Sequence, residues 1–457
     1  MAKRAGICRL ILPPAARKID NAKPAGDNDF IRSNNNLSIG SAMNRRHILA
    51  TVSTLAFAIL VGCGKEAPPA APKKAEAPKP QEVAMVRIGS ASPLTGPQAH
   101  IGIDIKNGVQ LAIDDLNAKG VEIGGRKVRF ELIAEDDEAN PTKATTVAQK
   151  FVDAKVAAVV GHFNSGASIP ASKVYSDAGI PQISPSSTNP KYTLQGFKTA
   201  FRVVAHDDQQ GPTLGKVAVE KLKARTVAVI DDSTAYGQGL ADAFAATVKA
   251  AGVKIVAREH TTDKDTDFTS ILTKIKGRRA DLIMFGGIDP QAGPMVKQMA
   301  TLGIKAKFIG GDGIQTANFI KLAGDAAEGV MASTPGLPKE QMPGGKAFLD
   351  RFKAKFNAEV ELYAPMGYDA VMVFVDAMKR AGSTEPAKFL PEIGKTNYRG
   401  VIGPIAFDEK GDLRNGPITI YVVKGSKWEA LETVTPGAAP GGGEATAEPA
   451  KSDAAKK

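Results

Sequence analysis

Two hydroxyl-bearing segments mark residues 161–192, GHFNSGASIPASKVYSDAGIPQISPSSTNPKY: Asn164-Ser165, and further on Ser186-Ser187-Thr188. Hydroxyls and free N–H groups recognise carboxylates, and carbonyl or carboxylate oxygens recognise ammonium groups. The pattern around them reads as a buried strand at 157–160, a loop, a helix at 168–178, a strand at 181–184 and a second loop. Loops at the carboxyl ends of parallel strands line the crevice of open α/β sheets, so the pair makes a site for a small polar ligand. Ser165 and Thr188 fall at or just before helix starts, where free N–H groups also favour an anion. The same residue types serve as ordinary caps and turn formers, and type alone leaves both readings open.

Other reactive constellations are weaker. Glu135-Asp136-Asp137 reads as a strand-end loop rather than a metal or acid–base cluster. Gly237-Gln238-Gly239 imitates part of a dinucleotide fingerprint, but Asp242 stands where the third glycine belongs. There is no GxSxG, no Walker lysine and no HExxH among the five histidines, so neither an enzyme, a cofactor nor a metal is expected. The two cysteines, Cys8 and Cys63, both precede the folded region, which excludes a structural disulfide there. Of the formal net charge of +11, residues 1–63 supply +6, from nine Lys/Arg against three Asp/Glu. The remainder interleaves both signs without a basic block along the chain, which argues against nucleic-acid binding.

The elements that would position the two loops alternate strand and helix from Met85 onward. Strands are predicted at 86–91, 128–134, 157–160 and 181–184. They alternate with helices at 103–118, 141–154 and 168–178, and a Gly/Pro loop at 96–102 precedes the first of these. A second series begins after 201–204, with strands at 226–231, 254–260, 282–286 and 307–310. A third block has helices at 345–356, 364–381 and 387–393, and a β pair of 402–407 with 418–423. The βα alternation predicts mostly parallel sheets with helices on both faces. The restart predicts two similar lobes rather than one very wide sheet. The expected division is 85–204 plus about 335–402 for the first lobe, 205–334 for the second, and 403–434 as hinge-completing strands.

The amino-terminal region reads as an address. Met43 opens MNRRHILATVSTLAFAILVGC, with Arg45-Arg46 before an apolar run of signal-peptide length. Leu60-Val61-Gly62-Cys63 resembles a bacterial lipobox, which implies lipidation of Cys63 after cleavage. Residues 43–62 are therefore expected to be a signal peptide. Residues 1–42 are expected to be a non-native or disordered extension, with Met43 as the true start. The Pro/Ala/Lys stretch 63–84 reads as a semi-rigid tether, reaching about 60 Å at roughly 3.1 Å per residue. The tail 435–457 is expected to be disordered by composition.

Across the folded region the chain resembles the type I periplasmic binding proteins, specifically the branched-chain amino acid (Leu/Ile/Val) substrate-binding components of ABC importers. The resemblance rests on SPLTGPQAHIG, GVQLAIDDLNAKG, EDDEANPTKA, VVGHFNSGAS, GIPQISPSST, FRVVAHDDQQGP, IDDSTAYGQGLADAF, GGDG, YDAV and GPIAFDEKGDLRNG. These segments run in order over about 350 residues. It implies a Venus-flytrap of two doubly wound lobes joined by a multi-strand hinge. It also implies binding with closure rather than catalysis. Its partners would be a small-molecule amino acid and the membrane permease subunits, with the protein a monomer attached to the membrane only through the lipid anchor, on the periplasmic face.

Carried over residue by residue, the resemblance gives Ser165 and Thr188 to the ligand carboxylate and the Ser186 carbonyl to the α-ammonium. Asp312 takes the place of an acid that pairs with the ammonium, and Tyr236 closes from the second lobe. Ile101 and Ile288 stand where well-known members have aromatics, and both are expected at the binding site. Tyr363 is either a pocket wall from the third block or a core aromatic. Relatives that import amides, urea or aromatic acids, and sensors built on the same fold, are the competing readings.

Overall fold

The computed structural model describes residues 83–435. The expected extension, the signal peptide, Cys63, nearly all of the tether and the tail beyond Thr435 lie outside the described residues. Two sheets organise the rest. The first contains β1 (Ala84–Ser92), β2 (Val121–Ile123), β3 (Arg126–Asp136), β4 (Ala158–Gly161), β5 (Gln182–Ser184) and β6 (Ala200–Arg202) in the order β2-β3-β1-β4-β5-β6. All pairs are parallel except β2 with β3, and central Ile88 sits opposite both Leu132 and Ala158.

The second sheet begins with β7 (Thr226–Asp231), β8 (Lys254–His260), β9 (Leu282–Gly286), β10 (Lys307–Gly310) and β11 (Met331–Pro335). β12 (Tyr398–Arg399) and β13 (Pro404–Ile405) then form a two-stranded sheet of their own. β14 (Ile418–Lys424) and β15 (Lys427–Val434) return to complete the order β15-β14-β11-β10-β9-β7-β8. The expected pairing of 402–407 with 418–423 does not form. β14 instead runs antiparallel to β11, with Thr334 opposite Thr419, so 418–434 belongs to the second sheet rather than to a hinge piece. The cause is burial: all of β14 but its last residue is buried, a pattern that needs a covered position inside a sheet. β11 itself, Met331-Ala-Ser-Thr-Pro335, has too little β-branched content to be read from sequence.

Packing follows the two sheets. Val109 and Leu116 of helix Ala99–Lys119 join Ile88 and Phe130 in one buried cluster with Phe348, Phe352, Val371, Phe374 and Phe389 of the third block. The second sheet carries one cluster around Leu240, Phe244 and Met284 and another around Phe285, Met295 and Phe319. The chain crosses between the lobes after β6, after β11 and before β14.

Helix Ala99–Lys119 starts four residues earlier than its sequence pattern predicts. Gly102, read as a loop residue, lies inside it, and only glycine fits there because a Cβ would fall 1.8 Å from the Pro93 carbonyl oxygen. That earlier start turns Ile101 inward, where it is fully buried in the first-lobe core.

Candidate functional site

The carboxyl ends of the central strands of both sheets face one cavity of about 440 Å³. Its first-lobe wall includes Gln98, Phe163, Asn164, Ser165 and Ser186, and its second-lobe wall Asp232, Thr234, Tyr236, Ile288 and Asp312. Among the described residues, side chains of Asn189, His100 and Tyr363 join the first lobe to the second. Asn189 Nδ2 donates to the Ala235 carbonyl at 2.6 Å, and His100 Nε2 lies 2.9 Å from Asp289 Oδ2.

The first-lobe end is built for an anion. Ser165 is the first residue of helix Ser165–Asp177, not its cap. The cap position is Asn164, and its side chain makes no capping bond; its Nδ2 donates to Gln98 Oε1 at 2.8 Å instead. By contrast, Asn140 caps the neighbouring helix Pro141–Asp153 through the N–H groups of Thr142 and Lys143. The first-turn N–H groups beside Ser165 and Gly166 are thus left without a side-chain cap where both residues line the cavity. Free N–H groups at a helix start are stabilised by a negative charge placed against them. Ser165 Oγ accepts from Asn189 N at 3.2 Å and keeps its own proton to donate, while Ser186 Oγ donates to the Phe163 carbonyl at 3.0 Å.

Thr188 is fully buried beside Asp207, whose carboxyl its hydroxyl helps to hold down. Its carbonyl accepts from Asp207 N. The loop carrying Ser186 to Asn189 is fixed from behind by Arg202 on β6. That buried guanidinium donates to the Ser187 carbonyl at 2.6 Å, the Asn189 carbonyl at 3.1 Å and Thr193 Oγ1 at 2.8 Å, and pairs with Asp412 at 2.6 Å.

The second-lobe end carries the negative charge. Asp312 Oδ1 accepts from Gln210 Nε2 at 2.7 Å and from the Tyr236 hydroxyl at 3.0 Å, and Oδ2 accepts from the Tyr363 hydroxyl. Gly313 N in turn donates to the Tyr236 oxygen at 3.1 Å. None of the three donors is charged. Burial pushes the Asp312 carboxyl up from its ordinary range, against the three hydrogen bonds that hold it down. Asp207, fully buried and sharing the Gln210 amide, is pushed up further by burial and by the Asp312 charge. An acid in this position gains from a cationic partner, which the cavity wall does not supply: it contains no Lys, Arg or His.

A periplasmic binding protein family profile matches residues 85–427. The chain belongs to that family. These are extracytoplasmic solute-binding proteins, not enzymes. The Leu-, Ile-, Val-, Thr- and Ala-binding protein of Pseudomonas aeruginosa is 35% identical to this periplasmic binding protein over 336 residues, 74% of this chain and 89% of that one. A second Pseudomonas aeruginosa relative, named an amino acid binding protein, is 40% identical over 342 residues, 74% and 90% of the two chains. The leucine-binding protein LivK of Thermotoga maritima superposes with a TM-score of 0.72 at 29% identity, over 77% of this chain and 99% of that one. LivJ of Streptococcus pneumoniae, solved with isoleucine, gives 0.71 at 32% identity, over 77% and 100%.

Within this periplasmic binding protein the structure brings Ser165, Ser186, Tyr236, Ile288 and Asp312 onto one cavity. It places Thr188 behind the wall, and Tyr363 behind Asp312 as a donor to it. Ile101 is not at the cavity; it belongs to the core for the reason given above. Sequence reasoning missed Gln98 and Asp232 on the wall and Gln210 beneath Asp312. Gln98 and Gln210 lie inside the segments SPLTGPQAHIG and FRVVAHDDQQGP, which were the available signal. No helix among the described residues is long and apolar enough to cross a membrane.

Proposed function

We propose that this protein captures an aliphatic amino acid of the branched-chain type between its lobes and delivers it to the permease of an ABC importer. The observation that carries the reading is the polarity of the cavity. An uncapped helix start with Ser165 and Gly166 forms one end, and a buried carboxylate with only neutral partners forms the other. A zwitterion matches both ends. Ser165 and the free N–H groups take its carboxylate, Asp312 and the Ser186 carbonyl take its ammonium, and Tyr236 closes over it. Phe163, Pro141 and Ile288 offer an apolar surface to the side chain. An amide, urea or aromatic acid lacks the ammonium and leaves Asp312 without a cation, which is costly in a closed cavity.

Delivery to a permease is supported by the names of the relatives, and lipid anchoring at Cys63 by the lipobox-like Leu60-Val61-Gly62-Cys63. The lobes are assigned as 85–204 plus about 335–402, and 205–334 with 418–434. A thermal-shift screen over amino acids, amides and small aromatic acids tests the ligand class. Stabilisation by leucine, isoleucine or valine is expected, and stabilisation confined to ligands without an ammonium group refutes it.

A further inference from the structure

The amino-terminal edge of the second sheet, opposite the ligand cavity, holds a groove of about 560 Å³ lined by Lys223, Arg225, Lys276, Arg279, Lys305 and Lys307. The one acid in it is Asp281, whose carboxylate is engaged by the backbone N–H groups of Arg225 and Thr226, both at 2.9 Å. All six cations are exposed, and none forms an ion pair among the described residues. Lys276 reaches only the Leu302 carbonyl, at 2.7 Å. Residues 83–435 contain 43 Lys/Arg and 39 Asp/Glu, so this one groove concentrates more net positive charge than the whole described region carries in excess. The cations come from three separate connections, at 223–225, 276–279 and 305–307, which is why no basic block appears along the chain.

Helix dipoles explain only part of the cluster. Basic residues favour the ends of helices, and Lys276 in the last turn and Arg279 at the C-cap of helix Thr269–Arg278 follow that rule. Lys223, Arg225, Lys305 and Lys307 lie instead in loops and strand starts. The first lobe supplies an internal comparison. Its groove at the same edge of its own sheet, of about 570 Å³, has the same strand and helix surroundings but only Arg87 and Lys155 as cations, with Glu385. There Arg87 is already paired with Glu131. The architecture alone therefore does not produce a basic groove; the second lobe carries one where the first does not.

We propose that this groove is an anion site whose ligand carries clustered phosphoryl groups. A phosphoryl group brings up to about two negative charges and three acceptor oxygens, which suits several closely placed Lys and Arg donors better than a single carboxylate does. The same chemistry is offered by a soluble polyphosphate and by phospholipid headgroups. The site is independent of the amino-acid cavity.

The test uses the full chain. It is titrated with inorganic pyrophosphate by calorimetry at low and high salt. It is also added to vesicles of phosphatidylcholine alone or with phosphatidylglycerol, where modification of lysines by an amine-reactive reagent is read by mass spectrometry. Expected results are pyrophosphate binding that weakens about tenfold or more at high salt, or protection of Lys223, Lys276, Lys305 and Lys307 on anionic but not neutral vesicles, with Lys191 unprotected as the control. Pyrophosphate binding without vesicle protection assigns a soluble anion, and the reverse assigns headgroups. The triple variant Lys223→Glu/Lys305→Glu/Lys307→Glu is expected to abolish pyrophosphate binding and Lys276 protection while leaving amino-acid binding intact. Absence of both signals in the unaltered chain, or survival of the observed signal in the triple variant, overturns the proposal.

Discussion

His100 of the first lobe and Asp289 of the second form an ion pair between the lobes, 2.9 Å apart, with Asp289 fully buried and His100 partly so. Asp289 also accepts from Thr316 Oγ1 and Asn318 Nδ2, which fixes it in place. Burial works against the His100 charge, but the Asp289 carboxylate, helped by Glu361 and Asp104, outweighs it and raises the imidazole pKa above 6.5.

This pair makes closure proton-linked. Separating the lobes returns His100 toward its ordinary value, so the raised pKa belongs to the closed form. Its contribution to closure is full below the ordinary value and is lost as pH rises through the raised one. Ligand affinity is therefore expected to fall as pH rises past the ordinary imidazole value and through the raised one, with proton uptake on binding. Calorimetry in buffers of different ionisation enthalpy measures the uptake. His100→Asn is expected to remove it.

Asp312→Asn is expected to weaken amino-acid binding about tenfold or more, because it removes one charge-assisted interaction worth roughly 1.5–3 kcal/mol. Tyr363→Phe is expected to cost less, since Gln210 and Tyr236 still orient the carboxylate. Dissociation constants for the same ligand order the two variants. The reverse order argues against Asp312 as the ammonium partner.

Thr188→Val separates binding from stability. The Thr188 hydroxyl is buried against the Asp207 carboxyl and helps to hold it down, so an isosteric methyl takes a partner from a buried acid. The unliganded variant is expected to melt lower than the parent. Its affinity is expected to fall about tenfold if the hydroxyl serves the ligand carboxylate. A lower Tm with unchanged affinity assigns Thr188 to the fold alone.

Arg202→Met is expected to destabilise the protein by about 3–5 kcal/mol in urea unfolding, because it strands the Asp412 carboxylate and frees the carbonyls of Ser187 and Asn189.

The two-lobed α/β plan was legible because strand and helix periods alternate and then restart. Six predicted elements, including β7 to β10 apart from small details of neighbouring helices, have their observed bounds at 226–231, 254–260, 282–286, 307–310, 345–356 and 364–381. Local pattern carries such elements, but not their partners. Arg202 and Asp412 are 210 residues apart, and β14 was readable as a strand without any sign that it pairs with β11. Ile101 failed for a different reason: the early helix start through Gly102 rotated it into the core. His100 could not be singled out because its meaning depends on Asp289, from the other lobe.

The central claim, a cavity built for a zwitterion, is tested most directly by calorimetry with leucine and with the same molecule lacking its amino group. Leucine is expected to bind at least about a hundredfold more tightly, since the deaminated acid forfeits its ammonium bonds and leaves Asp312 buried without a cation. Equal affinity for the two would contradict the assignment.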